Sequence, residues 1–164
     1  MIIYKEITEY TELFAFHLNI NAPSINEVEY IDYLISLFND TDSFGNKLFK
    51  ELYLFGAYSD NKLVGFIQFG TTNIGFDSNG EISKKINYSV IRNFYFEDNK
   101  VGEELLKIAL VLLKNDIYAF FHYFGMSCFS CYEKTYENLK QVEDLLLEYG
   151  FISLGKTKSY IKKV

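Results

Sequence analysis

Three groups of residues in this chain are of types and spacings that can do chemistry. The first is the run Glu97-Asp98-Asn99-Lys100-Val101-Gly102-Glu103-Glu104, where an aromatic-rich, strand-like segment gives way to a helix-like one. Free backbone N–H groups at a helix N-terminus converge on an anion, and the helix dipole favours it. The donors on offer span Asn99 to Glu104. Gly102 is the one position where no side chain would block close approach of a phosphate, and Lys100 adds a point charge. Glu103 and Glu104 suit the helix dipole but repel an anionic ligand. The same residues also read as a plain helix start, with Asp98 or Asn99 as cap. The second group is acid–base. Glu51, His17 and His122 can accept a proton directly or through water, and a tyrosine hydroxyl such as that of Tyr132, Tyr136 or Tyr149 is neutral at pH 7 and remains a donor. Each also reads as a structural or surface residue. The third is Cys128-Phe129-Ser130-Cys131, which has the spacing of half a zinc site or of a redox pair. Structural zinc usually takes four ligands, whereas the chain holds only two Cys and two His, so no metal is expected. A redox pair belongs at a helix start in a different topology. Walker-type, His-Glu-x-x-His and Gly-x-Ser-x-Gly motifs are absent.

The elements that must position these groups follow from periodicity. A short strand at Ile2-Lys5 precedes a helix over Glu9 to Leu18. Pro23 and the capping pair Ser24 and Glu27 open a second helix carrying Val28, Ile31, Leu34, Ile35 and Phe38 at helical spacing. Two strands, Glu51–Tyr58 and Lys62–Gly70, flank Ser59-Asp60-Asn61, as in a tight hairpin. Gly56 and Gly65 inside them mark bulges or close backbone approaches. A loop containing Asp77, Asn79 and Gly80 leads to a long strand. In it Ile86, Tyr88, Val90, Arg92, Phe94 and Phe96 alternate with Asn87, Ser89, Ile91, Asn93 and Tyr95. A helix starts at Asp98 or Asn99. Its segment Ala109-Leu110-Val111-Leu112-Leu113 is apolar nearly all round, which predicts deep burial. Ile117 to Phe124 reads as a core strand. Another helix runs from Thr135 or Asn138 to Tyr149, with Leu139, Val142, Leu146 and Tyr149 on one stripe and Gly150 as its stop. Phe151–Leu154 and Lys158–Ile161 close the chain as strands around Gly155.

The order is β-α-α-β-β-β-α-β-α-β-β. It predicts an α/β (α+β) fold: a mixed, largely antiparallel central sheet with helices on both faces and one parallel crossover. Residues 1–164 are expected to form a single domain, a length that supports one core without metals or disulfides.

This order resembles the GNAT superfamily of N-acetyltransferases across essentially the whole chain. The most suggestive pieces are Ile91-Arg92-Asn93-Phe94-Tyr95-Phe96-Glu97-Asp98-Asn99-Lys100-Val101-Gly102 with the helix that follows, and the end of the last helix, Leu146-Leu147-Glu148-Tyr149-Gly150-Phe151. In the family an Arg/Gln-x-x-Gly-x-Gly/Ala turn after the fourth strand binds the CoA pyrophosphate. Here only its final glycine is kept, as Gly102, and Glu97-Asp98-Asn99-Lys100-Val101-Gly102 reads as a shortened turn. The resemblance implies acetyl-CoA or another acyl-CoA as co-substrate. Asn99, Lys100, Val101, Gly102, Glu103 and Glu104 would meet its phosphates. Asn93, Phe94, Tyr95 and Phe96 would line a wedge for its pantetheine arm, with the aromatic rings walling an acyl pocket. The implied activity is transfer of an acetyl group to a primary amine by direct attack in a ternary complex. The family's usual tyrosine acid falls on Leu146, so Tyr136 is the leading substitute, and Glu51 and His122 are the candidate bases. The eroded turn and the vacant tyrosine position equally fit a second reading, a GNAT-fold binding module that has lost productive CoA binding.

Composition narrows the partners. The net charge is −6, from 16 Lys+Arg against 22 Asp+Glu, which argues against nucleic acid and is compatible with a cationic small-molecule or peptide amine as acceptor. No stretch approaches the length of a membrane span, and the charged start argues against a signal peptide, so the cytoplasm is the expected location. Sixteen Phe and 14 Tyr without Trp suit packed strands, and are compatible with a homodimer.

Overall fold

The computed structural model describes residues 1–9, 11–12, 49–72, 75–76, 82–83, 89–114, 116–120, 133–153 and 159–163. The predicted helices over Glu9–Leu18 and from Ser24 to Phe38, the 121–124 end of the predicted core strand, His17, His122, Tyr132 and both cysteines lie outside them, apart from the first residues of the former helix.

The strands are β1 (Ile2–Glu6), β2 (Phe49–Ser59), β3 (Lys62–Thr72), β4 (Gly75–Phe76), β5 (Ile82–Ser83), β6 (Ser89–Phe96), β7 (Ile117–Phe120), β8 (Ile152–Ser153) and β9 (Ser159–Lys162). The helices are α1 (Asn99–Leu112) and α2 (Glu133–Glu148). Seven strands form one sheet in the order β1-β2-β3-β6-β7-β9-β8. All neighbours are antiparallel except β6 and β7, which run parallel through Ser89–Ile91 and Ile117–Ala119. The parallel step is the crossover that α1 makes, as the sequence predicts. The pair β4–β5, a separate two-stranded ribbon in the predicted loop, was not anticipated.

Local chemistry explains the turns. Asp60 and Asn61 both adopt positive φ, 48° and 63°, the conformation that a two-residue hairpin between right-twisted strands demands. Gly150, at φ +89°, supplies the left-handed residue that ends α2, and the Phe151 N–H donates back to the Leu146 carbonyl at 3.0 Å.

One face of the sheet and both helices share a single core. Ala57 on β2, Ile67 and Phe69 on β3, and Ile91, Phe94 and Phe96 on β6 meet Val101, Leu105, Leu106 and Ala109 of α1 and Val142, Leu145 and Leu146 of α2. The other face is buried as well, through Leu54, Phe66, Gln68, Val90 and Tyr95.

Two expectations are corrected. Strict alternation along β6 fails, because Gln68 faces Asn93 while Phe69 faces Ile91. Arg92 is thus an extra residue, a β-bulge, and it puts Ile91 on the same face as Phe94 and Phe96. The apolar end of α1 is not buried all round. Val111 is 79% and Leu112 42% exposed, because the helix packs on one side, with Ala109 and Leu113 of that segment buried and Leu110 packed against the core's edge.

Candidate functional site

The site that the sequence points to lies where β6 ends and α1 begins. Phe94 and Phe96 pack against each other, ring centroids 5.0 Å apart, beneath α1 in the core. Tyr95 points to the opposite face, and its hydroxyl donates to Glu97 Oε1 at 2.9 Å. The three aromatic side chains are therefore buried structural members, and what they can offer a ligand is backbone. Asn93 sits in β6 beside the bulge.

Asp98 is the N-cap. Its backbone is extended (φ −99°, ψ 126°), and its carboxylate accepts from the Lys100 N–H at 2.8 Å. Its carbonyl accepts from the Gly102 N–H at 3.1 Å. Two of the donors that the sequence offers to an anion are thus taken by Asp98 itself. Gly102 is buried, and a Cβ there would lie 2.6 Å from three ring atoms of Phe96. Its glycine lets α1 lie on the Phe96 ring, so the missing side chain opens towards the core.

Carboxylates dominate the surroundings. Glu103 accepts from the Tyr149 hydroxyl at 2.5 Å and lies 3.7 Å from Lys107 Nζ, which also holds Glu104 at 3.0 Å. The Tyr149 hydrogen bond, then Lys107, keeps the Glu103 carboxyl below the usual glutamate range. Tyr4 on β1 is pushed above the ordinary tyrosine value, first by burial and then by the charges of Glu104 and Asp98. Of the basic groups, Lys100 stands in the turn itself, while Lys107 is engaged by Glu103 and Glu104. Lys162 reaches the end of α2, its Nζ donating to the Tyr149 carbonyl at 2.5 Å.

Of the acid–base candidates, Tyr149 reaches this turn through Glu103, and Glu51 stands away from it. Glu51 is exposed on β2 in the row with Thr71 and Ser89. The row of Ala57, Gly65 and Phe96 is six residues further along β2, roughly 20 Å at the usual strand rise. Tyr136 lies in the first half of α2, its side chain outside the described residues, as is His122. Leu146, at the place of the family's tyrosine, is fully buried in the core, so no hydroxyl is available there. Among the described residues no group of His, Cys, Asp and Glu is arranged to hold a metal ion, and no helix is long and apolar enough to cross a membrane. The residues that sequence reasoning undervalued are Asp98, read only as a cap, and Tyr149, read as a proton donor or a structural residue and not as a partner of Glu103. The adjacency of Tyr149 to the helix-ending Gly150 was the available signal for the latter.

A bulged central strand, a parallel crossover through a helix and an antiparallel flank on each side make up the fold of this chain, and solved N-acetyltransferase structures share that fold. No family model and no curated protein matches the chain by sequence. Its structure is similar to that of PH1933 from Pyrococcus horikoshii OT3, with a TM-score of 0.59 at 19% identity, covering 100% of this chain and 99% of that one. It is also similar to the aminoglycoside 6'-N-acetyltransferase from Enterococcus faecium, with a TM-score of 0.56 at 13% identity over 98% of this chain and 96% of that one. A third is the Bacillus subtilis N-acetyltransferase YlbP in complex with coenzyme A, with a TM-score of 0.53 at 12% identity over 100% and 97%.

Proposed function

We propose that this protein is an N-acetyltransferase that moves an acetyl group from a pantetheine thioester of the acetyl-CoA class to a primary amine. The observation that carries this reading is the β6–α1 unit, a central strand broken by a bulge at Arg92 and running directly into a helix N-terminus. It stands within a chain that matches acetyltransferase structures, one of them solved with coenzyme A, from end to end. The bulge supports a pantetheine wedge, because it interrupts the ladder of β6 just where the described pairing with β7 runs out at Ile91.

In the reaction the neutral amine attacks the thioester carbonyl, the C–N bond forms, the C–S bond breaks, and the thiolate takes up a proton. Tyr136 is the proposed proton donor to sulfur, and Glu51 or His122 the proposed acceptor of the ammonium proton. The acceptor is a small-molecule or peptide amine, and the net charge of −6 favours a cationic one. The test is thermal unfolding with and without acetyl-CoA, followed by thiol release with a panel of amines. Binding to the folded state alone must raise Tm. A shift and amine-dependent release of thiol are expected.

The second reading, a binding module of the same fold, is favoured by the occupation of the Lys100 N–H by Asp98 and by Leu146 at the acid position. No shift at about a thousand times a micromolar Kd would select it.

A further inference from the structure

The turn at the start of α1 is acidic and offers few free N–H donors. A phosphate seated at a helix N-terminus needs free N–H donors, room for close approach and a favourable field. The first requirement is reduced because the Asp98 carboxylate holds the Lys100 N–H at 2.8 Å, one of the few donors that the start of a helix leaves free. The second gains nothing from Gly102, whose open side is filled by the Phe96 ring. The third fails because Glu97, Asp98, Glu103 and Glu104 surround the turn against Lys100 and Lys107. Glu103 is also fixed there by Tyr149 and Lys107, so its charge stays in place. The field is felt as far as Tyr4 on β1, whose phenol is raised above its ordinary value by burial first and then by Glu104 and Asp98. The bulge on β6, by contrast, is intact, and a pantetheine arm is an uncharged chain of two amides that strand backbone can pair.

Resting on the acyltransferase reading above, we infer that this protein takes its acyl group from a small pantetheine thioester, held by the pantetheine arm and not by the diphosphate or nucleotide. The adenine nucleotide of acetyl-CoA adds little affinity here, and its phosphates are repelled.

The test is calorimetric titration of the full chain with S-acetylpantetheine, acetyl-CoA and adenosine 3',5'-bisphosphate. The two thioesters are expected to bind within about tenfold of each other, a small difference on the affinity scale, and the nucleotide not to compete. Acetyl-CoA binding should hold or tighten as NaCl rises from about 50 to about 300 mM, because salt screens repulsion. Asp98→Asn keeps a capping oxygen and removes a charge. It should tighten acetyl-CoA severalfold and leave S-acetylpantetheine unchanged, and exposed Glu104→Gln should do the same more weakly. An advantage of about a hundredfold for acetyl-CoA, lost with salt, would overturn the inference and leave the acyltransferase reading standing. So would Asp98→Asn and Glu104→Gln leaving both constants unchanged. Binding of neither thioester would overturn the acyltransferase reading, and this inference with it.

Discussion

The Tyr149 hydroxyl donates to Glu103 Oε1 at 2.5 Å and so ties the end of α2 to the N-terminal half of α1 across 46 residues of chain. Lys162 holds the carbonyl of the same tyrosine from β9, so helix end, helix start and last strand meet at one residue. Glu103 is kept ionised by the bond, its carboxyl drawn below the ordinary 4.5 by Tyr149 first and Lys107 second. Tyr149 is kept neutral, raised above the ordinary 10.0 by Glu103 first and burial second.

These two shifts fix a pH window for the link. A depressed carboxyl contributes stability above the unfolded glutamate value and loses it as pH falls through the folded one. A raised phenol contributes below the unfolded tyrosine value and loses it as pH rises through the folded one. Tyr149→Phe is therefore expected to lower Tm by a constant amount between pH 4.5 and 10.0. The gap to wild type should close on either side. Thermal melts of both proteins across pH read it directly.

Gly102→Ala is expected to destabilise the protein even though alanine is the better helix former. The new methyl would sit 2.6 Å from the Phe96 ring, which is buried and has nowhere to go. Overpacking of this kind costs about 1–3 kcal/mol, measurable by urea unfolding. The double variant Gly102→Ala/Phe96→Leu should lose less than the sum of its two singles, since the second change relieves the first.

Tyr160 on β9 is fully buried, and its phenol is pushed from 10.0 up to about 12 by burial and then by Glu143. Its contribution is present below pH 10.0 and is lost as pH rises through about 12. Stability of the wild type should fall more steeply over that interval than that of Tyr160→Phe. The variant should also lack one late-ionising step in an absorbance titration at the phenolate band.

Much of the fold was legible in the sequence because its signals are local. The Asp60–Asn61 hairpin, the Asp98 cap, the Gly150 stop and the stripe of Val142 and Leu146 each depend on a few neighbouring dihedrals and hydrogen bonds, and all stand in the structure. The candidate site was legible as a place, Glu97 to Glu104, but its state was not. Whether the N–H groups of that turn are free depends on which way the Asp98 carboxylate turns. Whether Gly102 opens outwards or inwards depends on Phe96. The even apolar look of Ala109–Leu113 misled for a related reason, since hydrophobicity says what can be buried but not which side meets the sheet.

Among the described residues, the sequence by itself determined the main-sheet strands and the two helices, the caps and turns that bound them, and the acidic character of the segment that opens α1, because each is written in residue type and short-range sterics. Tertiary structure alone decided three things. The bulge at Arg92 brings Ile91 into line with Phe94 and Phe96, Gly102 is spent on the Phe96 ring, and Tyr149 is joined to Glu103. Each of these joins groups that come to share a face or a contact only when the sheet pairs and the helices dock on it, and no local propensity encodes that meeting.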